Sequence, residues 1–222
     1  MIYPVYVKNY PAPDFNKKEI LRYAGAKEDI SEINALIDEC IKELDGKLNY
    51  KVCYGEYPVK ILGDDVDLTF TSVWSKDLAK NLKNCNYFIL FAATVGIGID
   101  RLIAKYNALS TTKALIFQAI GAERIESLCD LFNNEIKEKY KTIKPRFSAG
   151  YGDLPIEIQK DIFTVLNCSK NIGVTLNESL LMSPSKSVTA IIGVAKDSDC
   201  ANEKVCAACK KPDCEFRRKN EN

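Results

Sequence analysis

The run Tyr87-Phe88-Ile89-Leu90-Phe91-Ala92-Ala93-Thr94 restricts the fold more than any other stretch of this chain. It is almost continuously apolar, the pattern of a central strand buried on both faces. Other segments read as its neighbours. Residues 1–10 suit an edge strand or extended arm, and Tyr50–Leu62 reads as a strand that Pro58 demotes to a sheet edge. Val66–Phe70 and Ile172–Leu176 read as short strands, and Val188–Val194 as a buried one. Helical spacing covers Asp14 to about Tyr23, Ser31 to about Leu44, Ser75 to about Leu82 and Pro155 to about Asn167. Ser110 caps the longest helix, which runs to about Tyr140. This mixed order predicts an α+β fold with a mostly antiparallel sheet flanked by helices, followed by a Cys-rich C-terminal tail.

Composition removes whole classes of chemistry. The 222 residues contain no histidine, which excludes His-based acid–base catalysis, Ser-His-Asp and Cys-His nucleophiles, and every His-ligated metal site in this chain. Lysines and arginines number 31 against 30 acids, so no global charge favours nucleic acid or an anionic membrane. No apolar run approaches the roughly 20 residues of a membrane span. The first residues lack the pattern of a signal peptide, and a cytoplasmic location is expected. Of nine cysteines, Cys40, Cys53, Cys85, Cys129 and Cys168 are scattered through apolar segments and read as buried thiols.

Between two helical segments lies Lys144-Pro145-Arg146-Phe147-Ser148-Ala149-Gly150-Tyr151-Gly152-Asp153-Leu154-Pro155. Pro145 ends what precedes it, Gly150 and Gly152 permit positive φ, and Pro155 suits the first turn of the next helix. The stretch is a shaped loop holding one guanidinium and one phenol, or else an ordinary connector. Glu126, with Ala122 four before it and Cys129 three after, is either a carboxylate with room for a ligand or a solvated surface acid. Gly96-Ile97-Gly98 follows the apolar strand and precedes a helix, but Arg101 stands where the dinucleotide fingerprint has its third glycine. A tight strand-to-helix turn is the better reading than a phosphate cradle.

Three ordered motifs resemble a known family. Arg146-Phe147-Ser148-Ala149-Gly150-Tyr151 matches the R-x-x-x-G-Y motif of the S-adenosylmethionine-binding activation domain of cobalamin-dependent methionine synthase. Thr175-Leu176-Asn177-Glu178-Ser179, then Met182-Ser183-Pro184-Ser185-Lys186-Ser187-Val188, resembles its T-E-S…M-x-P…S-V segment, and Ala122–Glu126 resembles its A-D/E-R-x-x-E helix. The resemblance spans about residues 85–196. It implies an activation domain-like fold, with S-adenosylmethionine held near the R-x-x-x-G-Y loop. Arg146 would pair with the methionyl carboxylate, Ala149 and Gly150 would approach the adenosyl part by their backbone, and Tyr151 would offer a ring edge or hydroxyl. Glu126 would be the acid near the site. The methyl group would pass to cobalamin on a separate methionine synthase or corrinoid protein, with an electron donor such as flavodoxin or ferredoxin. No residue of this chain is then catalytic in its own right.

The resemblance leaves residues 1–84 as an N-terminal helical and strand part of the same domain, 85–196 as the S-adenosylmethionine-binding core and 197–222 as the tail. In that tail, Cys200-x5-Cys206-x2-Cys209-x4-Cys214 is a compact four-thiolate set, suited to zinc or to a 4Fe–4S cluster. A structural zinc knuckle is the duller reading, a 4Fe–4S cluster the sharper one, and a metal-free tail the remaining alternative. A second functional reading is a non-catalytic binding or scaffold module that keeps the fold and uses the tail for partner contact.

Overall fold

The computed structural model describes residues 3–26 and 31–195. In chain order the elements begin with strand β1 (Val5–Asn9), helices α1 (Lys17–Tyr23) and α2 (Ser31–Glu43), and strand β2 (Lys51–Pro58). Three short strands follow, β3 (Lys60–Leu62), β4 (Asp65–Asp67) and β5 (Ser72–Trp74), then helix α3 (Lys76–Asn81). Strand β6 (Cys85–Thr94) leads into helices α4 (Gly98–Leu109) and α5 (Thr111–Tyr140). The last part holds α6 (Gln159–Leu166), α7 (Cys168–Ile172), β7 (Thr175–Leu176), β8 (Met182–Ser183) and β9 (Ser187–Ala195).

The main sheet has the order β1-β2-β6-β9, antiparallel throughout, with β3-β4-β5 forming a small separate sheet. Strand β6 is central, and its apolar run feeds two cores. Ile89, Phe91 and Ala93 face a layer with Ile20, Ile37, Ile99, Phe117 and Phe132 from α1, α2, α4 and α5. Phe88, Leu90 and Ala92 face the other way, toward Val66, Leu78, Ile162 and Cys168. Side chains alternate across a strand, so a strand apolar at both parities must be covered on both sides.

Four readings change in detail. Strand β2 is an inner strand, not an edge. Pro58 is nevertheless tolerated because it is the last residue of β2 and lies beyond the stretch where β1 pairs, which ends at Val5 opposite Gly55. Its missing N–H therefore interrupts no ladder. The stretch Tyr50–Leu62 breaks after Pro58 into strands of two different sheets. The expected strand Val66–Phe70 is cut short at Asp67, where Thr69 takes a positive φ of 72° in a turn leading to β5. Ile172 ends a helix rather than starting a strand, and Gly173 closes that helix in the left-handed region at φ 72°.

The 30 residues of α5 start as expected, with Ser110 Oγ accepting from the Lys113 N–H at 3.3 Å. After α5, residues 142–147 run back along β9. Lys144 N donates to Gly193 O at 2.8 Å, and Phe147 and Ile191 exchange two bonds of 2.9 and 2.8 Å. This segment extends the sheet beyond β9 and places Arg146 above the middle of α5.

The N-terminal arm is fastened to the same helix by a buried ion pair. Arg124 Nε donates to Glu123 Oε2 at 2.6 Å, while its Nη2 donates to Asp14 O at 2.6 Å and its Nη1 to Pro13 O. The guanidinium lies 3.9 Å from the Phe15 ring centre. Glu123 also accepts from Asn16 N and from Ser127 Oγ, so the buried charge on each side is compensated. This clamp sets α1 against α5, next to the turn that bears Glu126.

Candidate functional site

Arg146 is fixed from both sides. Its flanking residue Phe147 is part of the sheet, and the Pro145 carbonyl accepts from Asn81 Nδ2 at 3.2 Å. The side chain turns to α5, where Nη2 donates to Glu126 Oε2 at 3.0 Å and to Asp130 Oδ1 at 2.9 Å. Glu126 and Asp130 stand four residues apart, the spacing that puts two side chains on one helix face. Nη1 is buried without a hydrogen-bond partner. Cys129 is fully buried beside the guanidinium, and burial pushes its thiol up to about 12 although Arg146 pulls the other way. Burial lowers the Arg146 guanidinium, but the facing Cys129, Glu126 and Asp130 outweigh it and hold it above its ordinary range. The cluster is thus a permanent cation gripped by two acids over a neutral thiol.

The loop after Arg146 is closed by its own backbone. Tyr151 N donates to Ser148 O at 3.1 Å, Leu154 N to Tyr151 O at 3.0 Å and Gly150 N to Leu154 O at 3.0 Å. Gly150 takes φ 84°, a conformation that favours glycine. Ala149 is buried, while Tyr151 is exposed and meets the Phe147 ring edge-on with centroids 6.3 Å apart. Asp153 anchors the far side of the loop. It accepts from Ser75 Oγ, from Lys76 N at 2.9 Å and from Asp77 N at 3.2 Å, all at the start of α3. Burial raises the Asp153 carboxyl, but these hydrogen bonds win and hold it below the usual carboxylate range.

Of the other motif segments, only the end of residues 182–188 reaches β9, the strand that pairs with this loop's start. Residues 182–188 run through β8 and the cis Ser183-Pro184 bond into β9, the strand that pairs with Phe147. Ser187 Oγ donates to Thr94 Oγ1 at 2.9 Å, and Thr189 Oγ1 to Gln159 Oε1 at 2.8 Å, which satisfies the buried hydroxyls of β9. Residues 175–181 form a tight turn in which Asn177 Oδ1 accepts from Leu181 N at 2.9 Å. The Gly96–Gly98 turn is closely packed: a Cβ on Gly98 would lie 2.0 Å from the carbonyl oxygen of Lys47. That backbone fills the space above the helix start, as a tight turn requires.

The structure thus places Arg146 and Glu126 in direct contact, with Ala149, Gly150 and Tyr151 on the loop that follows. It also shows residues that the sequence reading did not single out. Asp130 is the second acid on Arg146, and its four-residue spacing from Glu126 was a usable signal. Asp153 lies within Lys144–Pro155, but nothing in its spacing discloses the contact with α3. Strictly spaced, the last acid of the A-D/E-R-x-x-E pattern falls on Ser127, which donates to Glu123; Glu126, one residue earlier, is the one that reaches Arg146. Cys200, Cys206, Cys209 and Cys214 lie outside the described residues. Among the described residues, no group of three or more His, Cys, Asp or Glu is arranged to hold a metal ion, and no helix is long and apolar enough to cross a membrane.

Comparison with known proteins converges on the same region. Residues 130–206 match the family model described as vitamin B12 dependent methionine synthase, activation domain. That segment contains Asp130, the Arg146–Tyr151 loop, β9 and two of the tail cysteines. The fold is similar to that in a crystal structure of the MetH reactivation domain bound to AdoHcy, with a TM-score of 0.64 at 16% identity, over 89% of this chain and 80% of the other. Two of the three motifs, Arg146–Tyr151 and Thr175–Val188, fall inside the matched segment, Ala122–Glu126 lies before it, and this chain is similar to the activation domain of vitamin B12-dependent methionine synthase.

Proposed function

We propose that this chain binds S-adenosylmethionine at the loop around Arg146 and supports reductive methylation of cobalamin on a separate methionine synthase or corrinoid protein. The observation that carries the reading is the fixed guanidinium of Arg146, which lies with Asp130 inside the segment that matches the activation-domain family and also faces Glu126, just before that segment. A methionyl group is a zwitterion. A planar guanidinium suits its carboxylate, and neighbouring carboxylates suit its ammonium. The partly buried setting strengthens both contacts relative to open water. The orphaned Nη1 of Arg146 is consistent with such a ligand, because a buried donor without a partner is costly.

In this reading Ala149 and Gly150 present backbone to the adenosyl part, and Tyr151, exposed at the loop tip, borders it with its ring. The chain supplies position, not acid–base chemistry, in keeping with its lack of histidine. One electron from a reductant such as flavodoxin or ferredoxin brings the partner's cob(II)alamin to cob(I)alamin. That nucleophile takes the sulfonium methyl and releases S-adenosylhomocysteine. Cys200, Cys206, Cys209 and Cys214 are proposed to hold zinc or an iron–sulfur cluster, and the visible absorbance of anaerobically purified protein separates the two.

The test mixes the protein with a cob(II)alamin-loaded methionine synthase module, S-adenosylmethionine and a reductant. The expected result is methylcobalamin absorbance that depends on this chain. Absence of that signal, with no S-adenosylmethionine bound, favours the scaffold reading, in which the fold is kept and the ligand lost.

A further inference from the structure

We infer that the lysines beside the Arg146 loop form the docking surface for the corrinoid-carrying protein, which presents an acidic face to them. The inference rests on the reading that the methyl acceptor sits on a separate protein. It goes further by naming where that protein seats and with what charge. A sulfonium methyl held at Arg146 reaches cobalt only when the partner covers the surface next to the loop, so the chemistry of that surface selects the partner's.

Basic and acidic residues balance over the whole chain, 31 to 30, but not here. Residues 141–147 contain Lys141, Lys144 and Arg146 and no acid. The end of α3 lies against them. Asn81 Nδ2 donates to Pro145 O at 3.2 Å, and the Lys144 and Leu82 side chains meet over Gly193, where a Cβ would lie 3.0 Å from Lys144 Cγ and 2.8 Å from Leu82 Cδ2. Lys80 and Lys83 flank Asn81 and Leu82 and are exposed, as is Lys141. Asp77 is the one acid of residues 76–84, and it stands at the other end of α3, against Gly152.

Four lysines thus gather around the Asn81–Pro145 contact, and among the described residues none of them takes part in an ion pair. On the helical layer across the sheet, by contrast, Lys17 is held by Asp38 at 2.6 Å and Lys105 by Glu43 at 2.8 Å. Like charges side by side repel, and an acidic partner surface removes that repulsion. Exposed ammonium groups stay largely hydrated, so such contacts act mainly on encounter and orientation, and salt screens them. The near-neutral remainder of the chain supplies no wider basic track for a nucleic-acid backbone, so the patch fits a protein surface. Lys144 is two residues from Arg146, and a partner seated on the patch therefore also borders the methyl donor.

The test follows methylcobalamin formation by the full chain with S-adenosylmethionine, a reductant and rising concentrations of a cob(II)alamin-loaded methionine synthase module. It compares the wild type with Lys80→Glu/Lys83→Glu and with Lys42→Glu/Lys47→Glu, a control of equal charge change on exposed lysines at and just past the end of α2. At low salt the patch variant should need roughly tenfold more module for half-maximal rate, with the saturated rate and the calorimetric affinity for S-adenosylmethionine unchanged. The control should behave as the wild type, and high salt should bring all three together. An equal module requirement in all three proteins, or an equal loss in both variants, overturns the inference and leaves the ligand site standing. Loss of S-adenosylmethionine affinity in the patch variant also overturns it. A wild type that forms no methylcobalamin overturns the functional reading and this inference with it.

Discussion

Ser75 Oγ donates to Asp153 Oδ1, joining the start of α3 to the far end of the loop that begins at Arg146. The same carboxylate accepts from the Lys76 and Asp77 amides, so the loop caps a helix distant in sequence. A carboxylate at the first turn of a helix satisfies donors that have no partner within the helix.

Replacing Asp153 by alanine should destabilise the protein by about 1–2 kcal/mol, the usual loss for a cap and its hydrogen bonds. The pH dependence follows from the lowered carboxyl. A depressed acid contributes stability that is present above its unfolded value, about 3.9, and is lost as pH falls through the folded value. Asp153→Asn should therefore lose less stability than the wild type as pH falls through that window. Urea melts at neutral pH and in acid check both statements.

Gly98→Ala should cost about 2 kcal/mol or more, because the added Cβ would lie 2.0 Å from the Lys47 carbonyl and backbone must move. Gly46→Ala provides a contrast. Nothing lies within 4 Å of its Cβ position, so only its positive φ of 67° opposes the change, at about 1 kcal/mol. Thermal unfolding of the two variants should rank them in that order.

Arg124→Ala should destabilise by about 3 kcal/mol, since it leaves Glu123 buried without its countercharge. It also removes the two bonds to the Pro13 and Asp14 carbonyls, so limited proteolysis should cut the arm before α1 faster than in the wild type.

Legibility in the sequence followed the range of the interaction. The two-faced run of β6 and the capped α5 are local patterns, and both elements appear where periodicity puts them. Pro58 was misplaced because a proline reports only that its own N–H is absent. Whether a neighbour strand reaches that far depends on where β1 begins, and no local pattern encodes that. The pairing of residues 142–147 with β9 was missed for a related reason. Pro145 and the short length hide a segment whose bridges to β9 join residues distant in sequence. In the site, Arg146 and Glu126 could be named from the motifs. Asp130 was signalled by its spacing from Glu126 on α5, whereas the contact of Asp153 with the start of α3 is one that only the fold creates.

The most direct measurement for the central claim is calorimetric titration of the protein with S-adenosylmethionine, in the wild type and in Arg146→Ala and Arg146→Lys, with circular dichroism to confirm folding. The account predicts saturable binding to the wild type, loss of binding in Arg146→Ala and weakening of about tenfold in Arg146→Lys, where charge survives but the planar fork does not. Equal affinity in all three folded proteins, or no binding to the wild type, would contradict it.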